Sequence, residues 1–244
     1  MKIGFISDIH SNWEALDTAI KKLEKEVDEI YCCGDIVGYG PDPNECVNYI
    51  RKLKISVLGN HDAACVGRLD YDNFNPLAQY AIDWTKEVLT KENFEFIYKL
   101  PLKMDLNWGG IVHGSYRNPL EEYLVTYNAV LANFQIMDKN IYFFGHSHIA
   151  GIFIYSPENN GEIKYLSLAK GGEVEIKLNY KYLINPGSVG QPRDGNWKTS
   201  FGVFDTVKRI FKVYRMDYLV EITQKKMQIL GLPRPLWERL SLGR

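Results

Sequence analysis

Short apolar runs and amphipathic segments alternate along the first quarter of the chain. The pattern predicts strands at 3–7, 29–33 and 55–58, and helices at 13–26 and from Asp42 onward. Ser11 and Glu14 form a capping box at the start of the first helix. Because strands and helices alternate, we expect parallel strands joined by right-handed crossovers, with the carboxyl ends of the strands at one edge of a sheet.

The rest of the chain shows helical and then strand-like patterns. Helical spacing runs from Asn75 to about Tyr98, with a break near Thr90, and returns at 127–138 and 220–230. Strands are predicted at 102–106, 111–113 and 141–144, and then at 151–155, 163–168, 174–176, 182–184, 200–205 and 209–215, with turns at 156–161 and 170–172. A mostly parallel half followed by a mostly antiparallel half predicts an α/β fold class with two packed sheets and helices outside them.

Length and composition favour one globular domain. The 244 residues, 45% of them hydrophobic, are enough for a single large core. We therefore predict one domain over 1–230, with a helical cover segment at 68–100 within it. The pattern does not assign residues 231–244, which we treat as a C-terminal tail.

Charge and cysteine content narrow the class of function. The formal net charge is −1, from 29 basic and 30 acidic residues. This balance lacks the basic surface of a non-specific nucleic-acid or anionic-membrane binder, so we expect no stable nucleic-acid partner and no membrane. The N-terminal apolar run is too short for a signal sequence, and the 4 cysteines show no disulfide framework. We expect a cytoplasmic protein with reduced cysteines that acts on a small substrate.

All 5 histidines lie in loops that follow predicted strands. These loops carry Asp8 and His10; Asp35; Asn60, His61 and Asp62; His113; and His146 and His148. Imidazole nitrogen and carboxylate oxygen together suit a first-row divalent metal, and the absence of a Cys-x-x-Cys pair argues against structural zinc. One such loop alone is ambiguous, because a histidine after a strand is most often a hydrogen-bonded residue near the core. The ordered set predicts one shared metal site.

The order of these motifs resembles that of the calcineurin-like metallophosphoesterase family over about residues 1–205. The start Asp-Ile-His-Ser-Asn at 8–12 and the segment 185–193 are similar to its small bacterial and archaeal phosphodiesterase branch. The resemblance implies a four-layer αββα sandwich of two mixed sheets and a centre of two metals. It also implies the ligands: Asp8, His10 and His148 for one metal, Asn60, His113 and His146 for the second, and Asp35 for both.

The resemblance further implies a metal-dependent phosphohydrolase, with a phosphodiesterase favoured. Two divalent ions about 3.5–4 Å apart can acidify a bridging water for in-line attack on phosphorus. Manganese or iron is favoured as the metal, and zinc or nickel also suits these ligands. Asn60, His61 and Asp62 are assigned to catalysis, with His61 as general acid and Asp62 or Asp8 orienting its ring. Support of the metal shell is the alternative role for His61.

Several side chains near these loops are candidates for substrate binding. They are Asn12, Tyr39, Tyr116, Arg117 and Arg193, together with Trp13 and Trp197, whose rings are as common in cores. The expected substrate is a small phosphate ester, with a nucleotide as one candidate. A phosphomonoesterase or protein phosphatase is the alternative function, and a non-catalytic binding scaffold of the same fold is a third. The sequence leaves a homo-oligomer open.

Overall fold

The computed structural model describes residues 1–157 and 161–244. Its strands are β1 (Lys2–Ile6), β2 (Glu29–Cys32), β3 (Ile55–Ser56), β4 (Lys103–Leu106), β5 (Gly109–Val112), β6 (Ile141–Phe143), β7 (Gly151–Ser156), β8 (Glu162–Ser167), β9 (Gly172–Glu175), β10 (Lys181–Asn185), β11 (Thr199–Asp205) and β12 (Ile210–Met216). They form two six-stranded sheets, ordered β3-β2-β1-β11-β12-β9 and β4-β5-β6-β10-β7-β8. The turn predicted at 156–161 includes residues 158–160, which lie outside the described residues.

Parallel pairing joins the strands that precede the predicted metal-site loops. β1, β2 and β3 are parallel neighbours in the first sheet, and β5, β6 and β10 are parallel neighbours in the second. The later strands β11, β12 and β9 extend the first sheet antiparallel, and β7 and β8 extend the second in the same way. Each sheet is therefore mixed, which confirms the predicted fold class of two packed mixed sheets.

Helices cover the outer faces of both sheets. They are α1 (Trp13–Leu23), α2 (Pro43–Ile50), α3 (Asn60–Cys65), α4 (Pro76–Val88), α5 (Lys91–Tyr98), α6 (Tyr127–Ile136), α7 (Val220–Ile229) and α8 (Arg234–Glu238), followed by a 3-10 helix (Arg239–Leu242). α6 packs on the second sheet and the others share a core with the first. Between the sheets, Phe5 stacks on Phe143 with ring centroids 3.5 Å apart. Within the described residues, no helix is long and apolar enough to cross a bilayer.

Two helix starts differ from the prediction. α1 begins after Asn12, whose side chain accepts a hydrogen bond from Ala15 N (3.2 Å), so Asn12 rather than Ser11 is the N-cap. The segment from Gly59 to Asp62, predicted as a loop, contains the first turn of α3. The turn forms because the Asp62 carboxylate accepts a hydrogen bond from Gly59 N (3.1 Å).

The segment 231–244, which the pattern left unassigned, folds against the body. Leu232, Leu236 and Leu240 are buried in the cluster that packs the helices on the first sheet. The backbone N–H of Gly195 donates to the carbonyl of Gly243 (3.1 Å), which fixes the end of the segment to a loop of the body. Burial of apolar side chains and this hydrogen bond therefore hold the tail in one place.

Candidate metal centre

The predicted ligand residues meet at the carboxyl ends of the strands. Their side chains form two buried groups: Asp8, His10, Asp35 and His148 in one, and Asp35, His113 and His146 in the other. In each group the candidate ligand atoms lie within 4.8 Å of one another. Asp35 belongs to both groups, so one carboxylate faces both sets of donors.

The carboxylate of Asp35 is held between the two groups. Its Oδ1 accepts a hydrogen bond from the backbone N–H of His61 (2.9 Å), in the first turn of α3. Its Oδ2 lies 3.5 Å from His10 Nε2 and 3.3 Å from His113 Nε2. The backbone therefore fixes one oxygen, and the other oxygen points to an imidazole of each group.

Hydrogen bonds show which ring nitrogen of three histidines faces the centre. The Nδ1 atoms of His10, His113 and His148 lie 3.1, 2.8 and 2.6 Å from the carbonyl oxygens of Val37, Cys33 and Gln191. A carbonyl oxygen only accepts, so each Nδ1 carries the proton, and each Nε2 of a neutral ring presents a lone pair. His10 Nε2 and His148 Nε2 are 3.1 Å apart. Two lone pairs at this distance repel each other, and a cation bound to both removes the repulsion.

Further acceptors face the same space. Asp8 Oδ2 and His146 Nε2 are buried and have no hydrogen-bond partner. Asn60 Oδ1 lies 3.0 Å from His113 Nε2. Buried acceptors without donors are costly, whereas a divalent cation takes such atoms as ligands. The residues present therefore fit divalent cations, and their mixture of nitrogen and oxygen suits a first-row metal.

The turns that carry these donors have left-handed backbone conformations. The φ angle is 51° at Asp8, 48° at His10, 53° at Asp35, 64° at His146 and 59° at His148. Non-glycine residues rarely adopt positive φ, although Asp and His do so more often than most. Each such residue costs on the order of 1 kcal/mol, and this clustering of strained residues is typical of functional sites.

Two glycines let the loops pack this closely. A Cβ added at Gly59 would overlap the carboxylate and backbone N of Asp35. A Cβ at Gly145 would overlap Ser7 Oγ and approach Asp8 Oδ2 to 2.8 Å. The absence of a side chain at both positions is therefore a condition for bringing Asp8 and Asp35 to their observed places.

The charges at the centre depend on one another. Burial acts to raise the pKa of Asp35, but the imidazoles of His113 and His61 outweigh it and hold this pKa well below its usual range. Burial acts to lower the pKa of His113, yet the Asp35 and Asp8 carboxylates raise it to about 9. Positive charge is therefore stabilised where His113 Nε2 meets Asp35, and a metal cation bound there would replace the proton of His113.

His61 lies beside the centre and belongs to neither donor group. Its ring centroid is 4.9 Å from that of His10 and 4.5 Å from that of Tyr39, and its Nδ1 is buried without a partner. Burial lowers the pKa of His61 to about 4. The ring is therefore neutral near pH 7, whereas the sequence argument used the ordinary histidine value of about 6.5.

Asp62 does not orient the His61 ring, contrary to the prediction. Its Oδ1 accepts hydrogen bonds from the backbone N–H groups of Ile36 (2.9 Å) and Val37 (3.0 Å), and its Oδ2 accepts one from Gly59 (3.1 Å). Burial raises the pKa of Asp62 to about 7. This carboxylate joins the loop after β2 to the start of α3.

Asp8, the other carboxylate predicted to orient His61, is also engaged elsewhere. Its Oδ1 accepts a hydrogen bond from the backbone N–H of His146 (3.0 Å) and lies 3.4 Å from His148 Nε2. These contacts tie the loop after β1 in the first sheet to the loop after β6 in the second. Asp8 therefore stabilises the junction of the two sheets and presents its free oxygen to the donor group.

The centre opens into a cavity of about 310 Å³. Its lining includes His61 and His146 and two residues predicted to contact substrate, Tyr39 and Arg193. Arg193 Nη2 donates to the side-chain oxygen of Gln191 (2.8 Å), and Arg193 Nε is buried without a partner. A guanidinium beside the metal donors is well placed to pair with a phosphate.

Two aromatic residues of this cavity were not predicted. The Phe74 ring lies 5.5 Å from the His61 ring, and the Tyr123 ring stacks on His146 at 3.7 Å between centroids. Asn73 and Glu121 also line the cavity. All four lie in irregular segments between helices or strands, where neither apolar periodicity nor a strand-end motif marks a residue.

Asn12 and the two tryptophans lie outside this cavity. Asn12 is buried, and its side-chain amide donates to the carbonyl of Gly190 (2.8 Å) and to the Tyr218 hydroxyl (3.2 Å). Trp13 and Trp197 are partly buried and pack against the core of the first sheet. Asn12 therefore caps α1 and fixes a neighbouring loop, and the tryptophans pack at the edge of the core.

Tyr116 and Arg117, which were also predicted to contact substrate, lie away from the centre. The Tyr116 hydroxyl donates to the Asp105 carboxylate (2.7 Å), and the Arg117 guanidinium pairs with Glu122. Neither residue lines the cavity. Both side chains are instead engaged by these acidic partners outside the lining of the cavity.

Comparison with known proteins identifies relatives over the whole chain. Residues 1–209 match the calcineurin-like phosphoesterase superfamily domain. The chain is 41% identical over 250 residues to an uncharacterised protein from Methanocaldococcus jannaschii, an alignment that covers 99% of this chain and 98% of that protein. The crystal structure of a metallophosphoesterase from Sphaerobacter thermophilus superposes with a TM-score of 0.90 at 38% identity and covers 100% of this chain and 99% of that one.

A shorter similarity concerns a nucleotide-cleaving enzyme. A symmetrical bis(5'-nucleosyl)-tetraphosphatase from Baumannia cicadellinicola is 39% identical over 67 residues, which are 25% of this chain and 23% of that protein. The longer matches, the two mixed sheets and the buried donor groups all indicate the same family. This chain belongs to the calcineurin-like phosphoesterase superfamily.

Proposed function

We propose that the protein is a phosphodiesterase for small phosphate esters and that it uses two divalent cations. The observation that carries the proposal is the pair of buried donor groups that share Asp35. A site for one cation needs only one such group, and a structural site would close all positions with protein ligands. Here the donors border a cavity of about 310 Å³, which gives a substrate access to them.

We assign the donors to the two cations in the same division that the sequence analysis predicted. Asp8, His10 and His148 would hold one cation, Asn60, His113 and His146 would hold the other, and Asp35 would contact both. When bound, the cations supply a hydroxide nucleophile near neutral pH and offset negative charge on the phosphoryl oxygens. Manganese or iron suits these ligands best, and zinc or nickel is compatible with them.

Two residues of the cavity would act on the ester itself. Arg193 donates to a phosphoryl oxygen and so orients the phosphate against the donor groups. His61 donates a proton to the departing oxygen. Because its pKa is about 4 in the structure, His61 takes up this proton only when the anionic substrate lies next to it and raises the pKa.

The walls of the cavity support a diester as substrate. Phe74 lies beside His61, and Tyr123 lies beside His146 of one donor group, so aromatic rings border the cavity at two places. A diester carries an organic group on each side of phosphorus, and a nucleobase stacks on such rings at about 1–3 kcal/mol per base. The short similarity to a tetraphosphatase that cleaves dinucleoside polyphosphates also supports a nucleotide.

The test compares a nitrophenyl phosphodiester with the corresponding monoester on protein loaded with manganese. We expect faster hydrolysis of the diester, loss of activity on chelation, and recovery when manganese is returned. A higher kcat/KM for the monoester would instead indicate a phosphomonoesterase. If manganese, iron, zinc and nickel all fail to support turnover of either ester, the protein is a binding scaffold and the proposal is wrong.

A further inference from the structure

We propose that Arg239, from the C-terminal 3-10 helix, forms with Arg193 a second anion subsite next to the metal centre. This subsite would select substrates that carry a further phosphate beside the one that is cleaved. The inference rests on the proposed function, because it assigns a class of substrate to the same site. It predicts an oligophosphate ester, such as a dinucleoside polyphosphate, in preference to an ester of a single phosphate.

The first observation is the position of the two guanidinium groups on one tyrosine. The Cζ of Arg239 lies 4.5 Å from the centroid of the Tyr39 ring, and the Cζ of Arg193 lies 5.8 Å from it. The Tyr39 ring is itself 4.5 Å from the ring of His61. Both cations therefore adjoin the wall of the cavity that lies next to the proposed proton donor.

The second observation is that several N–H donors of these cations are unpaired, although Arg193 Nη2 donates to Gln191 and Arg239 is hydrogen-bonded to Tyr39. Nε and Nη2 of Arg239 are buried without a hydrogen-bond partner, and so is Nε of Arg193. Within the described chain, neither residue has a carboxylate within ion-pair distance, whereas the buried guanidinium of Arg215 forms an ion pair with Asp194 (2.6 Å). Buried guanidinium donors without acceptors are unfavourable, and an anion bound beside this pair would supply the missing acceptors.

The local electrostatics agree with this arrangement. Burial lowers the pKa of Arg239, and the charge of Arg193 lowers it further. The two guanidinium groups thus repel each other through space. An anion placed between or beside them would remove this repulsion and fill the donor positions of both.

The third observation is that the fold fixes Arg239 in place. Leu236 and Leu240, on either side of it in sequence, are buried in the main core. The Gly195 N–H donates to the carbonyl of Gly243, which connects the tail to the loop that carries Arg193. The two arginines are therefore held by one connected piece of backbone, as a preorganised binding site requires.

The chemistry of an oligophosphate matches two neighbouring cations. Arg193 and the cations held by the metal donors would bind the phosphate that is cleaved, and the next phosphate is attached through one shared oxygen. It carries its own negative charge and accepts paired hydrogen bonds from a guanidinium. Arg239 supplies such donors at the adjoining wall, and no carboxylate within the described residues competes for them.

The test uses the variants Arg239→Gln and Arg239→Lys, with Arg234→Gln as matched control. Arg234 lies on the same segment, is exposed and pairs with Glu238 (2.7 Å). The assay is the hydrolysis of a nitrophenyl diester by manganese-loaded protein. It measures the inhibition constants of two compounds, diadenosine tetraphosphate and adenylyl-adenosine, which has one phosphate. Arg239→Gln is expected to raise the constant of the tetraphosphate at least about tenfold and that of adenylyl-adenosine less than about twofold.

The remaining outcomes decide between a binding and a structural role. Arg239→Lys keeps the charge but lacks the paired N–H donors of a guanidinium, so its inhibition constant for the tetraphosphate is expected to lie between those of wild type and Arg239→Gln. Arg234→Gln is expected to behave as wild type. An equal rise for both inhibitors would mean that Arg239 only supports Tyr39, and no rise would mean that it contacts no phosphate; either result overturns the inference.

A failure of the proposed function is distinguishable from a failure of the subsite. If the wild type hydrolyses no nitrophenyl ester, the proposed function is wrong, and the same variants are then titrated with inorganic tripolyphosphate by calorimetry. Binding by the wild type that Arg239→Gln weakens at least about fivefold supports the subsite. Equal binding, or none by the wild type, overturns it.

Discussion

Asp35 and Asp62 are two buried aspartates whose neighbours give them different chemistry. The imidazoles around Asp35 hold its pKa well below the usual range, so its carboxylate is charged and directed at the donors. Asp62 accepts three backbone hydrogen bonds, and burial raises its pKa to about 7. Residue type and position in a motif suggested a metal ligand for Asp35 and a catalytic role for Asp62, but only the contacts show that Asp62 is a residue that supports the loops.

At the same scale, His61→Ala tests the proposed proton donor. Metal content is expected to stay unchanged, because neither donor group contains the His61 ring. Hydrolysis of esters with poor leaving groups is expected to slow by about 10²–10⁴-fold, whereas nitrophenyl esters, whose leaving group departs without a proton, slow less. The measurements are kcat on both kinds of ester and metal content by elemental analysis. Loss of metal from the variant would contradict the role given to His61.

Asp62→Ala tests the structural role of that carboxylate. The substitution leaves three buried backbone N–H groups without an acceptor, so the free energy of unfolding is expected to fall by about 2–4 kcal/mol. Chemical denaturation of the metal-free protein measures this change. The matched control is Asp17→Ala, whose carboxylate forms a solvent-exposed ion pair with Lys21, and its change is expected to stay within about 0.5 kcal/mol. Equal effects of the two substitutions would rule out the assigned role of Asp62.

At the scale of elements, the centre depends on tight connections between strands and the segments that follow them. Only residues 57–59 separate β3 from α3, and the N–H of His61 in the first turn of α3 fixes Asp35. The left-handed turns at Asp8 and Asp35 place their side chains over the sheet edge. Strand ends and donor types were predictable from apolar runs, but these turn conformations were not, because they follow from contacts between loops that are distant in sequence.

Gly59→Ala tests the connection between β3 and α3. The added methyl group would overlap Asp35, so we expect the variant to lose most of its metal affinity while Asp35 itself is unchanged. Metal content after dialysis against micromolar manganese measures the effect. Gly67→Asn, at a position with open space and a φ of 73° that asparagine tolerates, serves as the control and is expected to bind metal normally. Normal metal binding by Gly59→Ala would contradict the close packing described for this loop.

At the scale of the whole molecule, the centre exists only where the two sheets meet. Asp8 and Asp35 follow strands of the first sheet, and His113 and His146 follow strands of the second. The shared stack of Phe5 on Phe143 holds these strands face to face. Any change that separates the sheets is therefore expected to separate the two donor sets, so metal binding and the packing of the sheets stabilise each other.

The packing of distant segments in the whole molecule explains which features the sequence could predict and which it could not. Two packed sheets and the donors at strand ends follow from short apolar runs, helical spacing and motif order, which are local signals, whereas the mixed character of each sheet was implied by the family resemblance. Phe74 and Tyr123 line the cavity from irregular segments, Arg239 of the docked tail lies against the Tyr39 ring of its wall, and Tyr116 and Arg117 lie outside its lining. These positions depend on how distant segments pack, and no local pattern records that.

The most direct test of the two-cation centre is anomalous diffraction from crystals grown with manganese, recorded at the manganese absorption edge. The account predicts two peaks, one on each side of the Asp35 carboxylate, with Asp8, His10 and His148 around one and Asn60, His113 and His146 around the other. A single peak, or peaks that do not share Asp35, would contradict it.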